Sequence, residues 1–376
     1  MNISISLLCS YGNYFSSNYF RLSYNNMFSS ISLKNCRFEK SFCSIFKSYG
    51  SPCVFVSQTR FSGMLGSILS MSSLSNANIT APPSFTVTNT FLDCVFSSIR
   101  NGNDVCFIRN SGMSIYFYRC GFYYCYGNIC GMAPGYNFTS KFLCIHNCDG
   151  PNHPGYHFPS DSNAILYVSM NYSIEYLSSK QASASLYGGS YVGSRNDFDF
   201  FYNNATNNGR SDINSGFSFQ KAPTSCIKYQ YNIIHQCIGT VLFRSEVATT
   251  IGFSYCNMMN NTATSTFMSF ISGGVVFDNI VYYHNTCPSI APTNNGRSVS
   301  FSNSVFDISQ PIIPSISFSG NCQYSTQGQL VSVQTFHSVL CFALGSFPPS
   351  YSDVPFRTIK GSFFVFVVSF LNLNTM

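Results

Sequence analysis

The sequence predicts an all-β solenoid with coils of about 24 residues, and three observations carry that prediction. The first is a fixed period. Ile227-Lys-Tyr229, Ile251-Gly-Phe253, Val275-Val-Phe277 and Val299-Ser-Phe301 recur at a constant interval, each an aliphatic residue followed two positions later by an aromatic one. Seven positions after each opener stand Ile234, Met258, Tyr282 and Phe306. A period in the twenties with alternating apolarity makes each unit one coil of a repeat array. The second is a cysteine signature in the N-terminal half: Ile31-Ser-Leu33-Lys-Asn-Cys36-Arg-Phe38, Phe91-Leu-Asp-Cys94-Val-Phe96 and Ile115-Tyr-Phe117-Tyr-Arg-Cys120-Gly-Phe122, with a partial copy in Leu143-Cys-Ile145-His-Asn-Cys148. The third is composition. Of 376 residues only 9% are charged and 17% are aromatic, with 38 Phe, 25 Tyr and no Trp. Rings, Ile, Ser and Asn suit strands and turns rather than helices, and 45% hydrophobic content argues against disorder.

Taken in chain order, residues 1–29 are expected to form an N-terminal cap or irregular start, 30–345 the coils, and 346–376 a C-terminal tail. Each coil reads as two or three short strands joined by polar turns. The shorter pieces that follow the main strands include Ser44-Ile-Phe46, Val105-Cys-Phe107, Val241-Leu-Phe243 and Phe267-Met-Ser-Phe270. Alternation places Ile251, Phe253 and Tyr255 on one face and Gly252 and Ser254 on the other. Coils stacked about 4.8 Å apart would set equivalent side chains in ladders, ring on ring and Cys over Cys. Cys36, Cys94, Cys120 and Cys148 then sit at an interior position as inert packing thiols. Segments 71–84, 149–161 and 203–216 are rich in Pro, Asn, Gly or Ser and read as projecting loops.

With these units in place, the chain resembles right-handed parallel β-helix proteins. In detail it is similar to uncharacterised β-helix surface proteins of trichomonad protists, and more broadly to the pectate-lyase superfamily. The resemblance spans about residues 30–345, rests on coil-forming motifs, and implies a right-handed parallel β-helix. Members of the protist group often carry a C-terminal spanning helix. Here residues 363–371 are strongly apolar but shorter than the roughly 18 residues of a membrane span. They read as a terminal strand, a tail or a shortened anchor, so membrane association stays open. The start has no basic n-region and makes a poor signal peptide.

The formal net charge of +6 comes from single, scattered basic residues. Without a Lys/Arg stripe, nucleic acid is not an expected partner. Seventeen Cys lean weakly toward an oxidising compartment. Six Asn-X-Ser/Thr sequons, at Asn2, Asn78, Asn137, Asn171, Asn204 and Asn260, permit glycosylation without requiring it.

The best candidate for chemistry is Arg195-Asn-Asp197-Phe-Asp199-Phe200. On a strand, Arg195, Asp197 and Asp199 share one face, with same-face carboxylates about 7 Å apart. That spacing suits an acid and a base in glycoside cleavage or a Ca²⁺ site. The resemblance would also demand an Asp-Asp pair, a Gly-His-Gly and an Arg-x-Lys, which the sequence lacks, so a solvated strand face is the simpler reading. Asp212 is a further acid to locate. Cys144, Cys148, His153 and His157 include zinc-ligand types, but four residues between the second Cys and first His leave no room for a finger, and Cys-ladder residues followed by a surface loop explain them. His235, His284 and His337 stand alone, with no Gly-x-Ser-x-Gly and no phosphate loop. No metal or cofactor is expected. The sequence therefore points to a non-enzymatic, extracellular or cell-surface protein that binds carbohydrate or a cell-surface protein, with a polysaccharide lyase or glycoside hydrolase on the same scaffold as the alternative.

Overall fold

The computed structural model describes residues 2–6, 9–11, 20–22, 30–41, 45–48, 53–71, 88–100, 106–110, 114–125, 128–132, 138–148, 172–180, 190–193, 198–207, 214–220, 227–245, 251–270, 274–290, 298–307 and 316–325. They form a parallel β-solenoid without helices, with successive coils about 24 residues apart. One ladder passes through the strands Asn2–Ser6, Ser30–Lys34, Cys53–Ser57, Thr88–Leu92, Ser114–Tyr123, Phe138–His146, Tyr172–Lys180, Phe198–Phe201, Ile227–Gln230, Ile251–Ser254, Val275–Asp278, Val299–Ser302 and Ile316–Ser319, each paired in parallel with the next. A second ladder holds the next side of the coil, for example Arg37–Glu39, Arg60–Ser62 and Val95–Ser97, and later Ile233–His235, Asn257–Met259 and Val281–Tyr283. A third side is made by two shorter parallel sheets. One contains Phe46–Ser48, Leu69–Met71 and Cys106–Asn110; the other contains Asn214–Gln220, Ile238–Ser245 and Thr262–Phe270.

The two main sides meet at a corner made by one left-handed residue. Asn35, Gln58, Asp93, Arg119, Phe142, Tyr202, Tyr231, Tyr255, Asn279 and Asn303 occupy it in coils along the rod, with φ between 49° and 58°. A second left-handed residue ends the middle strand: Lys40, Gly63, Ser98, Tyr124, Asn147, Asn207, Gln236, Asn260 and His284. The two corners stand five residues apart in every coil where both are described, as in 35 to 40, 119 to 124 and 279 to 284. Coil length nevertheless varies. Ile31 pairs with Val54 in the next coil, whereas Phe138 pairs with the much more distant Tyr172. The variation is therefore confined to the part beyond the second corner. A left-handed L-residue costs about 1–2 kcal/mol, which cross-coil hydrogen bonding offsets. The Asn35 N–H donates to the Ser57 carbonyl at 3.1 Å, Tyr231 N–H to Ser254 at 3.1 Å and Asn279 N–H to Ser302 at 3.0 Å, so the ladder continues unbroken around the bend.

Inside, equivalent residues form columns. Phe38, Phe61, Phe96 and Phe122 stack at centroid spacings of 5.3, 5.3 and 4.4 Å. Phe253, Phe277, Phe301 and Phe318 do the same at 5.1, 4.5 and 5.7 Å. Burying such a ring contributes about 1.5–3 kcal/mol, and stacking adds about 0.5–1.5 kcal/mol. The residue just past each of these corners points inward and is small, an amide or, at Leu143 and Ile280, aliphatic. Cys36, Thr59, Cys94, Cys120, Asn203, Asn232, Cys256 and Ser304 are all buried there. Several of their polar atoms are satisfied across coils or by the bend itself: Asn203 N–H donates to Asn232 Oδ1 at 2.8 Å, and the Cys256 thiol to the Ser254 carbonyl at 3.2 Å.

The structure corrects four expectations. Tyr255 is not on the inner face with Ile251 and Phe253, because the strand ends at Ser254 and Tyr255 is the exposed corner residue. Cys148 is buried, but past the second corner beside Cys125; the counterpart of Cys120 is Leu143. Within 203–216, Asn204–Thr206 and the start of Asn214–Gln220 are paired strand rather than loop. The ladder also begins before residue 30, since Asn2–Ser6 pairs with Ser30–Lys34. The tail at 346–376 lies outside the described residues, as do 72–84 and 149–161. Among the described residues no helix is long and apolar enough to cross a membrane.

Candidate functional site

The sequence-predicted acids are only partly placed. Arg195, Asp197 and Asp212 lie outside the described residues, as do His153, His157 and His337. Asp199 lies in the Phe198–Phe201 strand, where its register partners are Ser173 on one coil and Lys228 on the next. That column also contains Val276, which is exposed, so Asp199 occupies an outward register position. The neighbouring acid Glu175 is two positions along the adjacent strand from Ser173, diagonal to Asp199. Such diagonal positions are about 7–8 Å apart. Glu175 is already engaged by Lys141, Nζ to Oε2 at 2.9 Å. Cys144 is disulfide-bonded rather than a free ladder thiol. Cys148 is a buried thiol donating to the His146 carbonyl at 3.4 Å. Gln236 and His284 flank Asn260 on the second corner, with His235 just before Gln236: Asn260 Nδ2 lies 3.1 Å from His235 Nε2, and the His284 N–H donates to Asp307 at 2.7 Å. Partial burial lowers the pKa of His235.

The more distinctive assembly is the first corner. By register, Phe142, Tyr176, Tyr202, Tyr231 and Tyr255 occupy it in five successive coils. Local sequence explains how. Each stands two positions after the register position of an inward ring or aliphatic residue and just before that of a small, amide or apolar inward one: Phe200-Phe-Tyr202-Asn203, Tyr229-Gln-Tyr231-Asn232, Phe253-Ser-Tyr255-Cys256. Asn is the easier occupant of a left-handed position, and Asn35, Asn279 and Asn303 hold the same corner elsewhere. The tyrosines are held by each other. Tyr202 and Tyr231 stack at 5.1 Å and 9°, and Tyr231 and Tyr255 at 5.0 Å and 7°.

Stacked in this way, Tyr202 and Tyr231 stay partly exposed and Tyr255 exposed, one ring per coil. The row is bounded on both sides by satisfied polar groups. Toward the N-terminus, Arg119 donates to Asp93 at 2.8 Å, its guanidinium carbon 5.2 Å from the Tyr118 ring centroid. Toward the C-terminus, Asp278 accepts from Ser302 Oγ at 2.6 Å, Asn279 Nδ2 at 2.9 Å and Asn303 Nδ2 at 3.0 Å. The Ser302 hydrogen bond, with those of the two amides, holds the Asp278 carboxyl below its ordinary range. Among the described residues no group of three His, Cys, Asp or Glu is placed to hold a metal ion. Chemically, the corner offers a row of phenols repeating at 5.0 to 5.1 Å, suited to a partner that also repeats along the solenoid axis.

Sequence reasoning missed this row because its members are spread over coils of unequal length: the step from Tyr202 to Tyr231 is longer than the step from Tyr231 to Tyr255. The available signal was the aromatic residue placed two after the inward ring and just before Asn or Cys. No protein-family model matches this chain, and comparison with curated proteins and with solved structures finds no match either.

Proposed function

We propose that this protein is a non-enzymatic, extracellular or cell-surface β-solenoid that binds a linear carbohydrate along the aromatic corner. The observation that carries the reading is the stack of Tyr202, Tyr231 and Tyr255, which presents one phenol ring per coil. An extended chain of β-linked hexoses advances by about one ring per coil spacing, so each sugar meets one hydroxyl and one apolar ring edge. Tyrosine provides an apolar body and a polar tip at low cost in side-chain entropy. A cell-surface protein is the other partner class for the same face. The disulfide at Cys144 suits an oxidising compartment. The remaining described thiols are compatible with it because most are buried. Parallel crossovers are right-handed in about 98% of cases, and we take the coil to have that hand. The likeness to pectate-lyase-like and trichomonad surface β-helix proteins points the same way but rests on coil-forming residues.

The test is retention of the full chain in gels containing neutral β-glucans, galactomannan or polygalacturonate, for the wild type and for Y231N and Y255N. Selective retention of the wild type, lost in both variants, supports the reading. Equal retention of all three, or none by the wild type on any polymer, rejects it.

A second reading, polysaccharide cleavage, is favoured by the diagonal placement of Glu175 and Asp199 on neighbouring coils. New reducing ends or unsaturated products from polygalacturonate, with or without Ca²⁺, and their loss in D199N would establish it. An inert wild type would end it.

A further inference from the structure

We propose that Asn260 is a site of N-linked glycosylation, and that its position keeps the attached glycan clear of the aromatic corner. The inference rests on the extracellular part of the reading above and not on the carbohydrate ligand.

Three of the six sequons, at Asn2, Asn204 and Asn260, have both their Asn and their hydroxyl residue among the described residues, and the fold treats the last two differently. Asn260-Asn261-Thr262 places its acceptor at the second corner, where Asn260 is exposed with φ 55°. Its neighbours at the same corner, Gln236 and His284, are also exposed, so the side chain projects from an open ridge. The middle residue, Asn261, is turned inward and fully buried. The contrast is Asn204-Ala205-Thr206. Asn204 lies within a strand, only partly exposed, with its Oδ1 accepting from Thr206 Oγ1 at 2.8 Å. Its register column includes the buried residues Cys144, Asn257 and Val281. A glycan on Asn204 would emerge from a partly covered column, whereas one on Asn260 would emerge from the ridge.

The chemistry closes on Asn260 without disturbing the fold. The anomeric carbon of a lipid-diphosphate-linked oligosaccharide forms a bond to Nδ2. Its bond to the diphosphate oxygen breaks, the lipid diphosphate leaves with the electron pair, and Nδ2 gives up one proton. The other proton stays on Nδ2 and remains available for the His235 Nε2 contact at 3.1 Å. Asn260 and the corner residue Tyr255 are separated by five positions, a span of about 16 Å for extended chain. The sugar and the tyrosine row thus occupy different ridges of the same coil.

The experiment uses the full chain behind an added secretion leader in a eukaryotic host. Peptide mass spectrometry after enzymatic glycan removal reads the Asn→Asp conversion, and N260Q is run beside the wild type. Gln already occupies the left-handed corners at Gln58 and Gln236, so N260Q is expected to fold. Conversion at residue 260, with a loss of one glycan's mass in N260Q, supports the proposal. A secreted wild type whose residue-260 peptide is unmodified overturns it. Export of the chain without the added leader is scored separately and bears on the surface reading alone. For a polysaccharide that retains the chain in either form, equal retention before and after glycan removal supports the clear-ridge placement; retention that appears only after removal overturns it.

Discussion

Asn285 Oδ1 accepts two hydrogen bonds from Asn261 one coil away, from the backbone N–H at 3.0 Å and from Nδ2 at 2.9 Å. Each of the two amides also donates across to a preceding coil, Asn261 Nδ2 to the Ile234 carbonyl at 3.0 Å and Asn285 Nδ2 to Met258 at 2.7 Å. The pair fastens adjacent turns where the chain leaves the second corner.

Removing one partner strands buried polar groups, which costs about 1–3 kcal/mol each. N261A is expected to lower stability by about that much and to speed amide exchange first in the coils that flank it. Denaturant titration with hydrogen exchange measures both. A wild-type midpoint in N261A would show the amide column to be ornamental.

Phe61 is sandwiched between Phe38 and Phe96 and fully buried. F61A should cost about 3–5 kcal/mol, and F61L markedly less because most of the volume is kept. Because each coil contacts only its neighbours, loss of protection should centre on the coils holding Phe38 and Phe96. Uniform loss over the whole array would contradict nearest-neighbour stabilisation.

Tyr231 carries opposing contributions. Y231N relieves a left-handed aromatic, about 1 kcal/mol, but removes two stacks of about 0.5–1.5 kcal/mol each. Stability is expected to fall by about 1 kcal/mol or less while carbohydrate retention disappears. A thermal melt run beside the retention assay separates the two effects; a variant that binds normally removes Tyr231 from the site.

Asp278 has a folded pKa lowered by Ser302, Asn303 and Asn279. A depressed carboxylate contributes stability that is fully present above its unfolded value and is lost as pH falls through the folded value. The stability difference between wild type and D278N should therefore be constant at neutral pH and shrink below the ordinary carboxylate range. Melts from neutral to acidic pH give the profile, and a difference that grows toward acid would reverse the sign.

Burial pushes the Cys256 thiol up to about 12 and the Cys94 thiol well up. Both should resist alkylation at mildly basic pH in the folded protein and react once it is unfolded. Rapid labelling of Cys256 in the native state would mean the column is open to solvent.

The sequence shows the inner columns of the solenoid clearly, because Ile227, Ile251, Val275 and Val299 repeat at a constant interval and their rings follow at a fixed offset. The corners were hidden. Alternation assumes the strand runs on, so it carried Tyr255 inward past the point where the backbone turns left-handed. The same assumption aligned Cys148 with Cys120, although one is past the second corner and the other past the first. The acids were legible as residues but not as a site, since pairing alone reveals that Glu175, not a second acid on the same strand, is the diagonal neighbour of Asp199.

The constant five-residue interval between corners has a consequence for how such a chain can change. In most sheets, inserting one residue slips the register and turns every following side chain over. Here the register is re-established in each coil by the short piece containing both corners, while a coil as short as Val299 to Ile316 already coexists with one as long as Phe55 to Thr90. Insertions and deletions beyond the second corner are absorbed locally, and the rings, amides and tyrosines downstream keep their places. Selection can thus lengthen, shorten or replace one side of the rod while the other two sides stay in register.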